Sequence, residues 1–478
     1  MLFNSIAFAI FLPIVFGIYW IVPHRFRWMV LLVASYYFYM SWNPKYVVLI
    51  LSTTAVSYFA AILVENNRER ISPKIFVAGS TIFCLGVLFF FKYFNFFGET
   101  ISEIASIFAI QLHPITLNLL LPVGISFYTF QTMSYVFDVY KGRVKAERNF
   151  GVYATFISFF PQLVAGPIER TNNLMPQIKS EKRFDYDLAM YGARQILWGF
   201  FKKIAVADVV AMYVDSAYKD LARCTPFDLC IAIFFFTIQI YCDFSGYSDI
   251  AIGTAKLFGV NLMKNFDSPY FSTSIREFWS RWHISLSTWF RDYVYIPLGG
   301  SRCSKLRNNI NVMITFLTSG LWHGANWTYV FWGGMHGIAQ VFENLIGRKR
   351  DNTKKSIVVK FLLWMIVFAF CNLAWVFFRA ESIGDALYVI KNAFGGVTNI
   401  SAYLHTNIGL SKKRLLFSLL TIMIVAIYDY ISMKKDVIQM AATKNKLLVV
   451  AIEYIILAII VVAVLFGTGS NQFVYFQF

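Results

Sequence analysis

The sequence predicts an all-α, polytopic integral membrane protein. Of its 478 residues, 58% are hydrophobic and only 14% are charged, and the charge is concentrated between long apolar runs. This distribution is typical of membrane-spanning chains rather than of several soluble domains. Because one span needs roughly 20 apolar residues, we expect about 10–12 transmembrane helices, together with re-entrant or amphipathic helices.

The predicted spans are the longest apolar stretches. In chain order they cover residues 2–22, 28–42, 47–64, 75–97, 227–241, 310–321, 328–342, 358–378, 415–431 and 447–466. Weaker membrane segments are predicted near residues 115–140, 150–168, 189–214 and 244–260. The first stretch is long and lacks a basic n-region, so we expect no cleavable signal peptide. No internal repeat or low-complexity linker is apparent.

The net charge of +17 is interpreted as a topology signal. The basic residues lie in short loops and not in one patch, which follows the positive-inside rule and argues against nucleic acid as a partner. Loops 348–355 and 433–446 are rich in Lys and Arg and are predicted to be cytoplasmic. The spans at 358–378, 415–431 and 447–466 then place residues 379–414 and the uncharged tail, residues 467–478, on the extracytoplasmic side. The basic run at 412–414 counts against this orientation.

Cysteine spacing predicts neither a structural metal nor a disulfide framework. No C-x-x-C pair occurs, and most of the cysteines stand in apolar sequence, where cysteine behaves as a small hydrophobe. The cysteines are Cys84, Cys224, Cys230, Cys242, Cys303 and Cys371. No phosphate-loop motif and no metal-ligand spacing is present.

Residues 275–293 carry a polar stripe around a histidine. At about 100° per residue, one narrow helical face collects the polar side chains, and the opposite face is apolar. The polar residues are Arg276, Ser280, His283, Ser287 and Arg291. Lipid cannot satisfy such a stripe, so we expect one amphipathic helix with His283 facing protein or a water-filled cavity.

His323 is the strongest candidate for a catalytic side chain. It lies between two apolar stretches, and Gly320 and Gly324 permit a break in the helix there. An imidazole can take a proton from a hydroxyl near neutral pH, and an ionisable residue at membrane depth suggests function. The alternative is a buried histidine that bonds a backbone carbonyl.

The remaining histidines are expected to be structural or incidental. On one continuous helix, His336 would lie roughly 220° away from the face of His323, so a structural role is expected for it. His24 and His113 stand beside prolines in predicted loops, and His405 lies in a predicted external loop.

The chain ends in an aromatic, uncharged hexapeptide. The last predicted span is followed by a short link at 467–472, which contains glycine, and then by Phe-Val-Tyr-Phe-Gln-Phe at 473–478. The tail could pack on the membrane interface within an aromatic belt. It could also act as a tether that delivers the Tyr475 hydroxyl into a pocket. We therefore divide the chain into a membrane core, 1–466, and a tail, 467–478.

Several long motifs resemble those of the membrane-bound O-acyltransferase family. The principal ones are DFSGYSDI at 243–250, REFWSRWHISLS at 276–287 and SGLWHG at 319–324. PVGISFYTF at 122–130 and PQLVAGPI at 161–168 add to them. The resemblance covers nearly the whole chain in order. It is closest to the bacterial branch that helps to O-acetylate alginate, peptidoglycan and other envelope polysaccharides.

The resemblance implies roles for specific residues around a central tunnel. It implies that His323 is the catalytic histidine and that His283 is a second polar residue lining the tunnel. Phe473, Tyr475 and Phe478 fit an F-x-Y-x-x-F ending in which the tyrosine is proposed to carry the acyl group. A tyrosine with its usual pKa near 10 needs a base, which His323 would supply.

The resemblance also implies the substrates and partners. The donor would be cytosolic acetyl-CoA or another acyl-CoA, acting as a substrate, with no bound cofactor. The acyl group would cross the bacterial cytoplasmic membrane to an extracytoplasmic acyltransferase partner and then to a cell-envelope polysaccharide. Arg302, Lys305 and Arg307 could attract the coenzyme A phosphates, although simple topology charge explains them equally well.

Two other classes remain open from the sequence. A transporter or flippase of a lipid-linked sugar or acyl donor would also need intramembrane histidine and arginine. It would need neither a terminal tyrosine nor a thioester donor, and inverted repeats would favour it. A scaffold for an envelope synthase would keep its function when His323 is replaced by alanine.

Overall fold

The computed structural model confirms an all-α chain, and the residues that it describes contain no strand. It describes residues 1–67, 72–164, 166–347, 356–395, 406, 408, 411–442, 445–466 and 473. The chain forms two compact units. The first comprises Met1–Ala193 and Ala251–Met263, and the second comprises Arg194–Ile250 and Lys264–Phe478.

The first unit is built mainly from the N-terminal helices. They are α1 (Ile6–Ile21), α2 (His24–Met40), α3 (Val47–Asn66), α4 (Lys74–Leu88), α5 (Phe94–Ile107), α6 (Ile125–Tyr140), α7 (Phe150–Ser158), α8 (Phe160–Leu163) and α9 (Thr171–Lys179). Helix α6 is buried along almost its entire length. The ring of Tyr135 in α6 packs against that of Tyr153 in α7, with the two centroids 4.4 Å apart. Helix α10 (Tyr186–Phe200) begins in this unit.

The second unit contains the predicted functional motifs. Its helices are α11 (Asp208–Lys219), α12 (Pro226–Leu257), α13 (Ile275–Arg281), α14 (Ile284–Phe290), α15 (Lys305–His323), α16 (Trp327–Leu345), α17 (Ile357–Arg379), α18 (Ile383–Ala393), α19 (Lys412–Ser432), α20 (Val437–Ala442) and α21 (Lys446–Leu465). A π-helical turn, Phe201–Ala207, follows α10, and another, Arg291–Tyr295, follows α14. Such turns are frequent at functional sites.

Within the described ranges, six helical segments are long and apolar enough to cross a membrane. They are Pro44–Asn66, Lys74–Ile107, Pro226–Leu257, Ile357–Arg379, Lys412–Ser432 and Lys446–Leu465, and α1 is a shorter apolar helix. The predicted spans at 310–321 and 328–342 fall in α15 and α16, which include more polar residues. These segments make the chain a multi-pass membrane protein.

Candidate active site

His323 is the last residue of α15, and the predicted helix break follows it. Gly324 is extended, and α16 begins after Asn326, whose Oδ1 accepts the Thr328 backbone N–H at 2.9 Å. The two helices then pack closely as a hairpin. A Cβ atom on Gly320 would clash with the Tyr329 carbonyl oxygen. Glycine at this position therefore allows the close approach that fixes the end of α15.

The His323 ring lies in an aromatic box. Its centroid is 5.0 Å from Trp322, 5.0 Å from Trp332 and 5.4 Å from Phe378, all edge to face. Only 3% of the residue is exposed. This packing holds the imidazole in one position and shields it from bulk water.

His283 does not lie on a continuous helix, so the prediction of a single amphipathic helix over 275–293 was wrong. Helix α13 ends at Arg281 and α14 begins at Ile284. His283 between them has φ 43° and ψ 54°, in the left-handed region. Such a conformation costs on the order of 1–3 kcal/mol outside glycine and persists where the surroundings enforce it.

Asn265 enforces the conformation of His283. Its backbone carbonyl accepts the Ile284 N–H at 2.9 Å. Its side-chain Oδ1 accepts the Ser285 N–H at 3.3 Å and the Ser285 hydroxyl at 2.9 Å, and it lies 3.1 Å from His283 Nδ1. A backbone N–H can only donate, so the shared atom is the oxygen and His283 Nδ1 carries the proton. Nε2 is therefore the acceptor in the neutral ring.

Burial also sets the charge of His283. The residue is fully buried, and the loss of solvation lowers its pKa to about 3. The ring is consequently neutral at pH 7, with a fixed tautomer. This arrangement suits a hydrogen-bond acceptor better than a group that titrates during turnover.

The structure brings the two predicted histidines to one place. The Trp322 ring lies 6.3 Å from His283 and 5.0 Å from His323 between centroids. The shared contact forms because α15 delivers Trp322 and His323 side by side to the bend that contains His283. The spacing of 40 residues in the sequence gives no sign of this.

The expectation for His336 rested on a geometry that the structure does not have. That expectation assumed one continuous helix, whereas the chain reverses at Gly324 and α16 packs against α15. Trp332 consequently lies 5.0 Å from His323 and 5.0 Å from His336 between ring centroids. His336 Nδ1 accepts the indole N–H of Trp279 at 3.2 Å.

One residue of the tail reaches the same region. Phe473 is fully buried, with its ring centroid 4.5 Å from Tyr247 and 5.6 Å from Phe244. The Phe244 ring in turn lies 4.6 Å from His283. Tyr475 and Phe478 lie outside the described residues.

Two buried lysines were missed in the sequence. Lys203 Nζ pairs with Asp208 at 2.8 Å and with Asp243 at 2.7 Å, and its side chain is 1% exposed. Lys202 pairs with Asp249 and donates to Ser245 Oγ at 3.0 Å. The signal was available, because adjacent lysines inside the apolar segment 197–207 are costly unless they are paired.

A close helix approach makes this ion cluster possible. A Cβ atom on Gly199 would lie 2.7 Å from the Gly246 carbonyl oxygen, and one on Gly246 would lie 2.9 Å from that of Gly199. The π-helical turn Phe201–Ala207 then directs both lysines at the DFSGYSD motif of α12. The cluster therefore fixes the turn of α12 that presents Phe244 and Tyr247 to Phe473.

The three basic candidates lie near one end of α15. Lys305 and Arg307 belong to its first turn and Arg302 precedes it, and all three are exposed. The Ser304 hydroxyl caps this helix by accepting the Arg307 N–H at 3.3 Å. At 1.5 Å per residue, about 27 Å of helix separates Lys305 from His323.

Comparison with known proteins identifies the family. A model described as MBOAT, membrane-bound O-acyltransferase family, matches residues 147–380. A probable alginate O-acetylase AlgI of Pseudomonas aeruginosa is 39% identical over 400 residues, which cover 83% of this chain and 75% of the relative. The chain belongs to the membrane-bound O-acyltransferase family. The resemblance and the predicted O-acyltransferase activity are thus confirmed.

Two further relatives of this acyltransferase carry different names. The peptidoglycan O-acetyltransferase of Helicobacter pylori is 35% identical over 431 residues, which cover 83% of this chain and 80% of the relative. The teichoic acid D-alanyltransferase of Streptococcus thermophilus is 32% identical over 254 residues, which cover 50% of this chain and 61% of the relative. The family model covers His283, His323 and the ion cluster, and it ends before the tail.

Replacing Asn265 with alanine should impair this acyltransferase without removing a reacting group. The substitution deletes the Oδ1 acceptor that holds His283, so we expect activity to fall by about 10–100-fold, the usual cost of removing an orienting hydrogen bond. Unpaired buried groups should lower the unfolding free energy by about 1–3 kcal/mol. Steady-state kinetics and thermal unfolding in detergent would measure both.

The matched control is Asn372→Ala, which removes the acceptor of the Thr237 hydroxyl bond instead. This control should retain most of the activity. Equal activity of the Asn265 variant and the wild type would show that the bend at His283 has no part in turnover.

Proposed function

We propose that this protein moves an acyl group, in the first instance acetyl, from cytosolic acyl-CoA to Tyr475 on the extracytoplasmic side. A separate extracytoplasmic protein then passes the group to hydroxyls of a cell-envelope polysaccharide. One observation carries the proposal. The tail residue Phe473 is fully buried against Phe244, whose ring contacts His283.

The reach of the chain supports Tyr475 as the acceptor. An extended chain spans at most about 3.6 Å per residue, so the α-carbon of Tyr475 lies within about 7 Å of that of Phe473. Phe473 is itself joined to His283 by ring contacts through Phe244. Chain connectivity thus permits the proposed transfer to Tyr475, because the covalent distance from Phe473 is short.

The proposed chemistry assigns the proton transfer to His323. Its neutral imidazole removes the Tyr475 hydroxyl proton as the phenolic oxygen attacks the thioester carbonyl carbon. The tetrahedral intermediate collapses, the carbon–sulfur bond breaks, and the coenzyme A thiolate takes the proton from the imidazolium. The product is an aryl ester, which is more activated than an alkyl ester and can pass its acyl group to a sugar hydroxyl.

His283 is proposed to assist without titrating. The Asn265 bond to Nδ1 holds its ring in one orientation, so that His283 would shape the site in which the acyl group is transferred. The donor would approach from the basic end of α15, where Arg302, Lys305 and Arg307 are exposed around a helix N-terminus. Positive side chains and free N–H groups there suit the phosphates of coenzyme A.

The proposed orientation places the tail outside the cytoplasm of a bacterial cell. It follows from the basic loops 348–355 and 433–446, although the first lies outside the described residues. The basic run at 412–414, which counts against this orientation, is explained in part by a contact at a helix end. Arg414 donates to the carbonyl of Phe466 at 3.0 Å, at the carboxyl end of α21, where a cation stabilises the helix.

The acceptor is proposed from the relatives, whose names specify alginate, peptidoglycan and teichoic acid. These three acceptors are polymers that carry hydroxyl groups outside the cytoplasmic membrane. The shared chemistry is O-acylation of an envelope polymer, and we propose a polysaccharide as the acceptor of this chain.

Incubation with acetyl-CoA should label the tail of the wild-type protein. We expect mass spectrometry of the C-terminal peptide to show one added acetyl group. The Tyr475→Phe variant should lack it, because phenylalanine has no hydroxyl to acylate. Tyr454→Phe is the matched control, since Tyr454 is an exposed tyrosine on α21 and should not affect labelling.

Other outcomes would contradict parts of the proposal. Release of free coenzyme A with a sugar acceptor and a partner present, but no adduct on any variant, would indicate direct transfer and a structural tail. No release of coenzyme A under any condition would contradict acyl transfer from this donor and favour the transporter alternative.

A further inference from the structure

A small, mainly apolar cavity lies beside the catalytic region of the second unit. It has a volume of about 170 Å³ and runs between α14 with its π-helical turn and the α15–α16 hairpin. Val312, Phe316 and Ser319 of α15 line it on one side, and Leu286 and Phe290 of α14 line it on another. None of the roles proposed above accounts for it.

The cavity has an outer and an inner end. Arg291 lies at the outer end and its side chain is 57% exposed, so the cavity opens to the surface there. Ser319 lies at the inner end, one helical turn before His323 on the same helix. His323 itself does not line the cavity, so the cavity adjoins the catalytic region through Ser319 and Trp279.

Trp279 forms the inner wall. Its indole lines the cavity and packs edge to face on Phe316, with the centroids 5.4 Å apart. The ring centroid of Trp332, which contacts His323, lies 5.7 Å from that of Trp279. The indole of Trp279 therefore stands next to the aromatic box around His323.

His336 holds this indole in place. An indole N–H can only donate, so Nδ1 of His336 must be the unprotonated acceptor of the 3.2 Å bond. His336 is itself fully buried between Phe278, Phe316 and Phe370. The bond selects one orientation of a large side chain that would otherwise be free to turn within the cavity.

We propose that Trp279, oriented by His336, closes the inner end of this cavity and restricts the donor to a short acyl thioester such as acetyl. This inference rests on the proposed function. Pockets that hold a whole drug-sized ligand usually measure about 300–1,000 Å³. A cavity of about 170 Å³ has room for the thioester group with a small acyl chain, and the rest of the donor would lie outside beside Arg291.

The physical basis is steric exclusion by a fixed wall. A two-carbon acyl group would end before the indole, whereas each further methylene must displace the indole or move the donor outwards in the cavity. One surplus methylene in such a pocket typically costs a factor of about 10–200 in kcat/KM. His336 is thereby a positioning residue, and Trp279 is the residue that determines specificity.

The experiment compares acetyl-CoA with hexanoyl-CoA as donors for the full-length protein in detergent. The readout is the ratio of the two kcat/KM values, measured by release of free coenzyme A. Trp279→Ala should raise the hexanoyl-to-acetyl ratio at least tenfold. His336→Leu should shift it in the same direction, and His336→Asn, which can replace the Nδ1 acceptor by an amide oxygen, should stay closer to the wild-type ratio.

Two further variants serve as a substitute for Trp279→Ala and as a control. Phe316→Ala opens the same wall and replaces Trp279→Ala if that variant fails to fold. Trp364→Ala is the matched control, because it removes an indole that bonds the Tyr270 carbonyl at 2.7 Å and does not line the cavity. Its ratio should equal that of the wild type.

The outcomes separate this inference from the proposed function. An unchanged ratio in both wall variants, or an equal shift in Trp364→Ala, would overturn the inference while acetyl transfer by the wild type still stood. Comparable use of both donors by the wild type would overturn it as well. Failure of the wild type to use either donor would overturn the proposed function together with the inference.

Discussion

Replacing His323 with alanine is expected to lower acyl transfer by about 10²–10⁴-fold, the usual contribution of a positioned general base. The side chains that surround it, Trp322, Trp332 and Phe378, have no basic nitrogen, so none of them can take its place. The measurement is release of coenzyme A and acetylation of the tail peptide, compared with wild type.

The control for this prediction is His24→Ala. His24 is a loop-end histidine of the first unit that bonds the Lys179 carbonyl, and its loss should leave turnover unchanged. Retention of more than a tenth of wild-type activity in a folded His323→Ala protein would exclude His323 as the base. If the cells also continued to make the envelope polymer, that result would support the alternative that this protein is a scaffold for an envelope synthase.

Replacing Lys203 with methionine is expected to cause the largest loss of stability. The substitution removes the cation between Asp208 and Asp243, two carboxylates that are almost completely buried. Breaking a buried ion pair from one side typically costs about 3–5 kcal/mol, because the remaining charge is stranded. Thermal unfolding and the monodisperse yield in detergent would measure the effect.

Two further variants test whether the loss of stability comes from the burial of the ion cluster. Lys264→Met removes a lysine from an exposed pair with Asp267 and should cost less than about 1 kcal/mol. Combining Lys203→Met with Asp208→Asn and Asp243→Asn should recover much of the lost stability, because neutral groups carry no large desolvation penalty. Equal stability of Lys203→Met and Lys264→Met would contradict the buried cluster.

The residue pattern correctly indicated individual elements with strong local causes. The long apolar runs predicted membrane helices because hydrophobic length alone decides whether a helix can span a bilayer. The break after His323 was predicted because glycine at 320 and 324 weakens the helix between two apolar stretches. The motifs around His283 and His323 led to the correct family.

The bend at His283 could not be predicted from local sequence. Periodicity favoured one helix over 275–293. Histidine is enriched among the few non-glycine residues in the left-handed region, but that conformation is still uncommon for it. Asn265, which stands 18 residues earlier, overrides the helix by bonding Ile284, Ser285 and the His283 ring. A lone asparagine in a connecting segment carries no signal of that role.

The sequence by itself determined the all-α membrane class, the family motifs and the identity of the histidine at the helix break, because hydrophobic length and glycine act locally. Only the tertiary structure decided which side chains meet. It placed His283 and His323 on Trp322, turned His336 back onto Trp279, and buried Phe473 beside Phe244. These contacts join segments far apart in the chain, and their energies depend on packing and desolvation that arise only when the helices assemble.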